Sequence, residues 1–160
     1  MSSVLSHLHD VNEEFSRQLE KLKAIKPNYA TESIETSFNW DEIAASIKDV
    51  EGEWYAVAFR SIRRVDADNK LLYEADAKAY NEAMLHGGLL KYFIGELNQF
   101  RECLSMCIWT NREDSIKATQ NRLHVDAKRL TNSMYETYTL ERYKLKKTKG
   151  ETKINIHQIF

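Results

Sequence analysis

Residues 53–160 are predicted to form a ferredoxin-like α+β domain, an antiparallel sheet with helices on one face. Three observations predict it. The hydrophobic period changes from helical to strand-like after Gly52. Two helical stretches then separate four strand-like ones in the order β-α-β-β-α-β, the split βαβ arrangement. Finally, the strands are apolar on both faces, so the whole sheet must be covered.

The elements follow in order. Val4, Leu8, Val11, Phe15, Leu19 and Leu22 recur at near-helical spacing, and Pro27 ends that segment. Asn28–Ser37 is polar and aperiodic, a linker. Asn39 with Glu42 three residues on forms a capping-box pattern for a short helix carrying Ile43 and Ile47, which Gly52 closes. Residues 1–52 are therefore a helical arm and linker preceding the domain.

Trp54–Phe59 opens a first strand that runs to about Val65, and Asp66 and Asp68 supply the turn and cap that follow. Leu72, Ala75, Ala79 and Ala83 mark a helix ended by His86-Gly87-Gly88. Leu89–Leu97 is the second strand and Glu102–Thr110 the third. Asn111 caps the next helix, with Glu113 and Asp114 in its first turn. Ile116, Leu123, Ala127, Leu130 and Met134 line its buried side. Tyr138–Lys147 is the fourth strand, and Ile154–Ile159 returns as a short fifth.

Composition narrows the class. The chain has 160 residues, 42% hydrophobic and 29% charged, an ordinary globular balance. No run approaches the ~20 apolar residues of a membrane span. The first 24 residues contain Asp10, Glu13, Glu14 and Glu20 and no apolar h-region, so they read as neither signal nor transit peptide. A cytoplasmic home is expected, with the nucleus left open. Cys103 and Cys107, four apart on a strand, lie on one face roughly 13 Å from each other, too far for a disulfide; they are expected to be buried thiols. Residues 1–52 hold 5 Lys/Arg against 10 Asp/Glu, and the remainder 18 against 14. An acidic arm on a mildly basic body should be attracted to it.

Strand parity sets Tyr55, Val57 and Phe59 against Trp54, Ala56, Ala58 and Arg60, and Leu104, Met106 and Ile108 against Cys103, Ser105, Cys107 and Trp109. With both helices on one face, the other needs a cover. A second copy, packing sheet to sheet, is favoured over the N-terminal arm, so a homodimer is expected.

Trp54–Ser61, Arg63-Arg64, Asp66–Asp68 and Gly87–Tyr92 resemble an uncharacterised protein family known chiefly from fungi, as do Cys107–Trp109, Met134–Glu136 and Leu140–Arg142. The resemblance covers about residues 53–147, leaves the arm outside, and transfers no catalytic residue. At the level of fold it implies the dimeric α/β-barrel superfamily, which includes antibiotic- and haem-processing monooxygenases, chlorite-dismutase relatives and non-enzymatic stress proteins. Fold alone does not assign function.

Candidate chemistry centres on a ligand pocket. Ala56, Ala58, Ser105 and Cys107 are small and are placed on one face with Trp54, Arg60 and Trp109, a setting that suits a flat, partly anionic ligand. Tyr92, Arg142 and His124 are the further candidates. The competing reading makes the small residues packing sites and the tryptophans core. His86, at a helix end, and His124 are possible haem ligands or bases, although structural histidines are commoner. His7 and His9 face apart on a helix, and no metal-ligand spacing occurs. No nucleophile elbow, phosphate loop or dinucleotide fingerprint is present, so catalytic residues and cofactor stay unassigned. Arg60, Arg63 and Arg64, with Arg142, Lys144, Lys146, Lys147 and Lys149, form basic clusters. The near-neutral balance and missing stacking motif argue against nucleic acid. Two functions remain: a protein binding a small flat ligand in a sheet-walled cavity, or a non-enzymatic interaction module whose N-terminal helix docks a partner.

Overall fold

The computed structural model describes residues 2–120 and 122–159. The arm comprises α1 (Ser2–Gln18), a 3-10 turn (Leu19–Lys21), α2 (Ile34–Ser37) and α3 (Trp40–Ser46). The domain follows as β1 (Gly52–Arg63), α4 (Asn69–His86), β2 (Leu89–Phe93), β3 (Glu102–Trp109), α5 (Arg112–Thr119), α6 (Arg122–Arg129), α7 (Thr131–Met134), β4 (Tyr135–Lys147) and β5 (Ile154–Gln158). The five strands form one antiparallel sheet in the order β2-β3-β1-β4-β5. This is the expected α+β, ferredoxin-like architecture with the fifth strand added beside the fourth.

Local signals explain most boundaries. Asp68 caps α4 by accepting from the Leu71 amide at 3.0 Å, and Asn111 caps α5 through the Asp114 amide at 2.8 Å. Gly87 and Gly88 end α4 with φ of 91° and 88°, a region that favours glycine. Other boundaries move. The second strand stops at Phe93, and beyond it Gly95 crosses so close to β3 that an added Cβ would lie 1.8 Å from the Leu104 carbonyl oxygen. The expected second domain helix is three short helices, and Ile116 is largely exposed on the first of them. The side chains of Leu123 and Ala127 lie outside the described residues. Asn39 does not cap α3. Its carbonyl accepts from the Lys23 amide, and its Nδ2 donates to the Lys21 carbonyl and to Glu42, so it ties the chain entering the linker to the chain leaving it.

The arm covers the face that a second copy was expected to cover. Phe15, Leu19, Ile34, Phe38, Trp40, Ile43 and Ile47 share one core with Trp54, Ala56, Ala58, Leu104, Met106, Ile108 and Leu145. Phe15 stacks on Trp54 at 3.9 Å, and the Trp54 indole donates to Asn12 Oδ1 at 2.8 Å. The sequence argument ranked the arm second, although an amphipathic stripe that is marginal alone needs a surface to cover. Here α1 is one part of a continuous cover that also includes the linker and α3, so its stripe is buried cooperatively. Only its first turns, with Val4, Leu5 and Leu8, stay exposed.

Among the described residues no ion pair joins the arm to the domain; the pairs lie within the arm, such as His9–Glu13 and Glu14–Arg17, or within the domain. Cations of the domain grip the arm through backbone carbonyls instead. Arg60 Nη1 and Nη2 donate to the carbonyls of Ala30 (2.9 Å) and Glu32 (2.7 Å). Lys147, fully buried, donates to the carbonyls of Lys48, Val50 and Thr148.

Candidate functional site

The pairing register decides which side chains meet. Val57 lies opposite Cys107 and Arg142, and Cys107 lies opposite Tyr92. Residues paired across an antiparallel sheet share a face, so Tyr92, Cys107, Val57 and Arg142 form one row beneath the helices. Tyr55 opposite Trp109, and Ser105 opposite Phe59, extend the same face. Trp54, Ala56, Ala58 and Arg60 belong to the other.

The expected pocket is therefore divided. Trp54 and Arg60 belong to the arm side, where both are engaged: Arg60 Nε pairs with Glu141 at 2.8 Å while its two terminal nitrogens hold the linker. Tyr92, Trp109 and Arg142 lie on the helix side. His124 sits in α6, and its side chain lies outside the described residues. The error was one of relative register between the first and third strands: Trp54 and Trp109 face opposite ways.

On the helix side a cavity of about 400 Å³ lies between the sheet and α4–α6. It exists because α4 and α5 meet the sheet through small residues. Ala83 and Ala118 pack tightly on Tyr55 and Trp109 at one end. Further along, Ala75 and Ala79 face the sheet where larger side chains would fill the space. The walls are aromatic: Phe59 and Tyr138 ring centroids lie 6.3 Å apart, Tyr135 and Tyr138 5.2 Å, and Tyr80 and Tyr92 5.6 Å.

Polar and charged groups are interspersed with the rings. The Tyr92 hydroxyl donates to the Asp76 carboxylate at 2.9 Å. Arg63 Nη1 donates to the Tyr73 hydroxyl at 2.6 Å and to Asn69 Oδ1 at 3.2 Å, and its guanidinium lies 5.1 Å from the Tyr73 ring centre. Burial pushes the ionisation of Tyr92 and Tyr138 upward, and Asp76 adds to the shift at Tyr92. Burial likewise raises the thiols of Cys103 and Cys107. Both cysteines are free, as expected, and their raised pKa values make them poor nucleophiles. No group of three His, Cys, Asp or Glu suited to hold a metal occurs among the described residues.

Sequence reasoning did not select Arg63, Tyr73 or Asp76. A signal existed for two of them. Asp76 falls at the buried helical positions between Leu72 and Ala79, and Arg63 continues the parity of Tyr55, Val57 and Phe59. Arg63 entered only as part of a basic cluster.

The model of the PB2B2.08-like family matches residues 2–158, so the chain belongs to that family. The match includes the arm, which the motif resemblance left outside. UPF0643 protein PB2B2.08 of Schizosaccharomyces pombe is 29% identical over 102 residues, 60% of this chain and 46% of that protein, so the chain matches less than half of this relative's length. Among solved structures, a proposed monooxygenase from Fusobacterium nucleatum aligns with a TM-score of 0.51 at 14% identity, covering 59% of this chain and 44% of that one. A proposed antibiotic biosynthesis monooxygenase from Nitrosomonas europaea gives 0.50 at 12%, covering 57% and 89%. A protein from Shewanella oneidensis gives 0.51 at 9%, covering 60% and 94%. These likenesses show the fold alone, the ferredoxin-like α+β architecture. No helix among the described residues is long and apolar enough to cross a membrane.

Proposed function

We propose that this PB2B2.08-like chain binds a small, flat aromatic molecule in the cavity between its sheet and α4–α6. One observation carries the reading: a cavity of about 400 Å³ walled by aromatic rings, with polar and charged groups among them. Stacking surfaces select for planarity, and the hydroxyls of Tyr92 and Tyr138 supply orientation without charge. Fold neighbours named as monooxygenases make an oxygenase a natural hypothesis, but the site geometry speaks for binding first. The alternative, an interaction module whose N-terminal helix docks a partner, is disfavoured because α1 spends its apolar stripe from Val11 onward on its own sheet. A homodimer would have to form through a surface other than that sheet face.

The test is a thermal-unfolding screen with planar aromatics. A ligand that binds the folded state raises its stability by RT ln(1 + [L]/Kd). Such compounds are expected to raise the melting temperature of the native chain in a concentration-dependent way. Ala75→Phe, which projects a ring into the cavity, should abolish the shift while leaving a cooperative transition. If no planar aromatic stabilises the native chain, or Ala75→Phe keeps the full response, the reading fails.

A further inference from the structure

Arg63 stands out among the groups that line the cavity. Its side chain lines the cavity together with Tyr55, Val57, Phe59 and Ser61 of the same strand, and only 7% of the residue is exposed. A guanidinium this deeply buried is normally balanced by a carboxylate and by a full set of hydrogen bonds. Arg63 has neither among the described residues. Its hydrogen bonds go to two neutral oxygens, Asn69 Oδ1 and the Tyr73 hydroxyl, both from Nη1. Nε is sealed from water and makes no hydrogen bond.

The unsatisfied side of the group has a definite shape. With Nη1 occupied, the edge formed by Nε and Nη2 remains. That edge carries two parallel N–H vectors, the fork that accepts a carboxylate in bidentate fashion. Tyr73 and Asn69 hold the guanidinium through Nη1, away from that edge. The carboxylate on this lining, Asp76, accepts from the Tyr92 hydroxyl. Arg112, Lys128 and Arg142 line the cavity as well, but Arg63 is the cation whose side chain holds a sealed nitrogen without an acceptor among the described residues.

We infer that Arg63 is the anchor for the carboxylate of a planar aromatic acid bound in this cavity. The inference rests on the reading of the cavity as a ligand site and adds the chemical class of the ligand. An acid bound here would supply both what the buried charge lacks, a counter-ion, and what Nε lacks, an acceptor.

A matched pair of probes separates the two ideas: 2-naphthoate and its neutral isostere 2-naphthamide, titrated calorimetrically against the full chain at neutral pH. The acid is expected to bind the native chain about tenfold tighter than the amide or better, the range of a charge-assisted hydrogen bond. Arg63→Gln should bring the ratio close to one while the amide still binds. Arg63→Lys, which keeps the charge and loses the fork, should leave an intermediate ratio and covers the case in which Arg63→Gln does not fold. Equal binding of acid and amide to the native chain would overturn the role of Arg63 and leave the cavity reading standing. An acid preference that survives Arg63→Gln, or is undiminished in Arg63→Lys, would do the same. If neither probe binds the native chain, both ideas fall.

Discussion

The two faces of one sheet are covered in different ways. On the arm side the strands present Trp54, Ala56, Ala58, Leu104, Met106 and Ile108, and the arm fills the relief between large and small with Phe15, Leu19 and Phe38. On the helix side the strands present larger aromatic groups, but the covering helices answer with alanines, and a cavity results. Interiors normally close to high density, and a lost contact costs free energy. A face left open beside a face packed solid, on the same strands, therefore points to where binding belongs. Small residues alone do not make a pocket: Ala56 and Ala58 are the small ones on the solid face.

The largest effect should come from breaking the solid face. Phe15→Ala removes a fully buried ring that stacks on Trp54 and should cost about 3–5 kcal/mol in urea denaturation. Leu140→Ala, on the half-buried helix side, should cost clearly less; equal costs would mean that the faces do not differ as described. Next comes the linker. Arg60→Met removes three hydrogen bonds and should cost about 2 kcal/mol, with faster hydrogen exchange at residues 28–37. No change in exchange there would show that the linker is held by packing alone.

The smallest effect is a pH dependence. Burial and the hydrogen bond to Glu141 push Tyr143, on the arm side, up to about 12, and Tyr92 and Tyr138 are raised on the helix side. An acid raised in the folded state adds no pH dependence below its unfolded pKa and loses stability for the fold as pH climbs from that value toward the folded one. Stability should thus be flat to about pH 9 and fall progressively above pH 10. Tyr143→Phe should make the alkaline fall shallower, as read from denaturation midpoints between pH 8 and 11.

Much of the fold was legible because its signals are local. Asp68, Asn111 and Gly87-Gly88 mark helix ends by chemistry that acts within a few residues. The face that needs covering was also legible, since parity along β1 shows both sides to be apolar. The candidate site was legible only in part. Tyr92, Trp109 and Arg142 do line the cavity, whereas Trp54 and Arg60 serve the arm, because pairing two strands one residue out of step exchanges every facing. Nothing local in Trp54–Phe59 or in Cys103–Trp109 states which residue of one lies opposite which of the other.

By itself the sequence determined the order of elements, their caps and the presence of two apolar sheet faces, since each depends on residues close in the chain. Only the tertiary structure decided the rest. It set Tyr55 opposite Trp109, laid the chain's own arm over the face expected to meet a second copy, and placed Arg63 on the lining of a cavity. Those outcomes depend on register and on competition among distant surfaces for the same apolar face, which are properties of the folded chain as a whole.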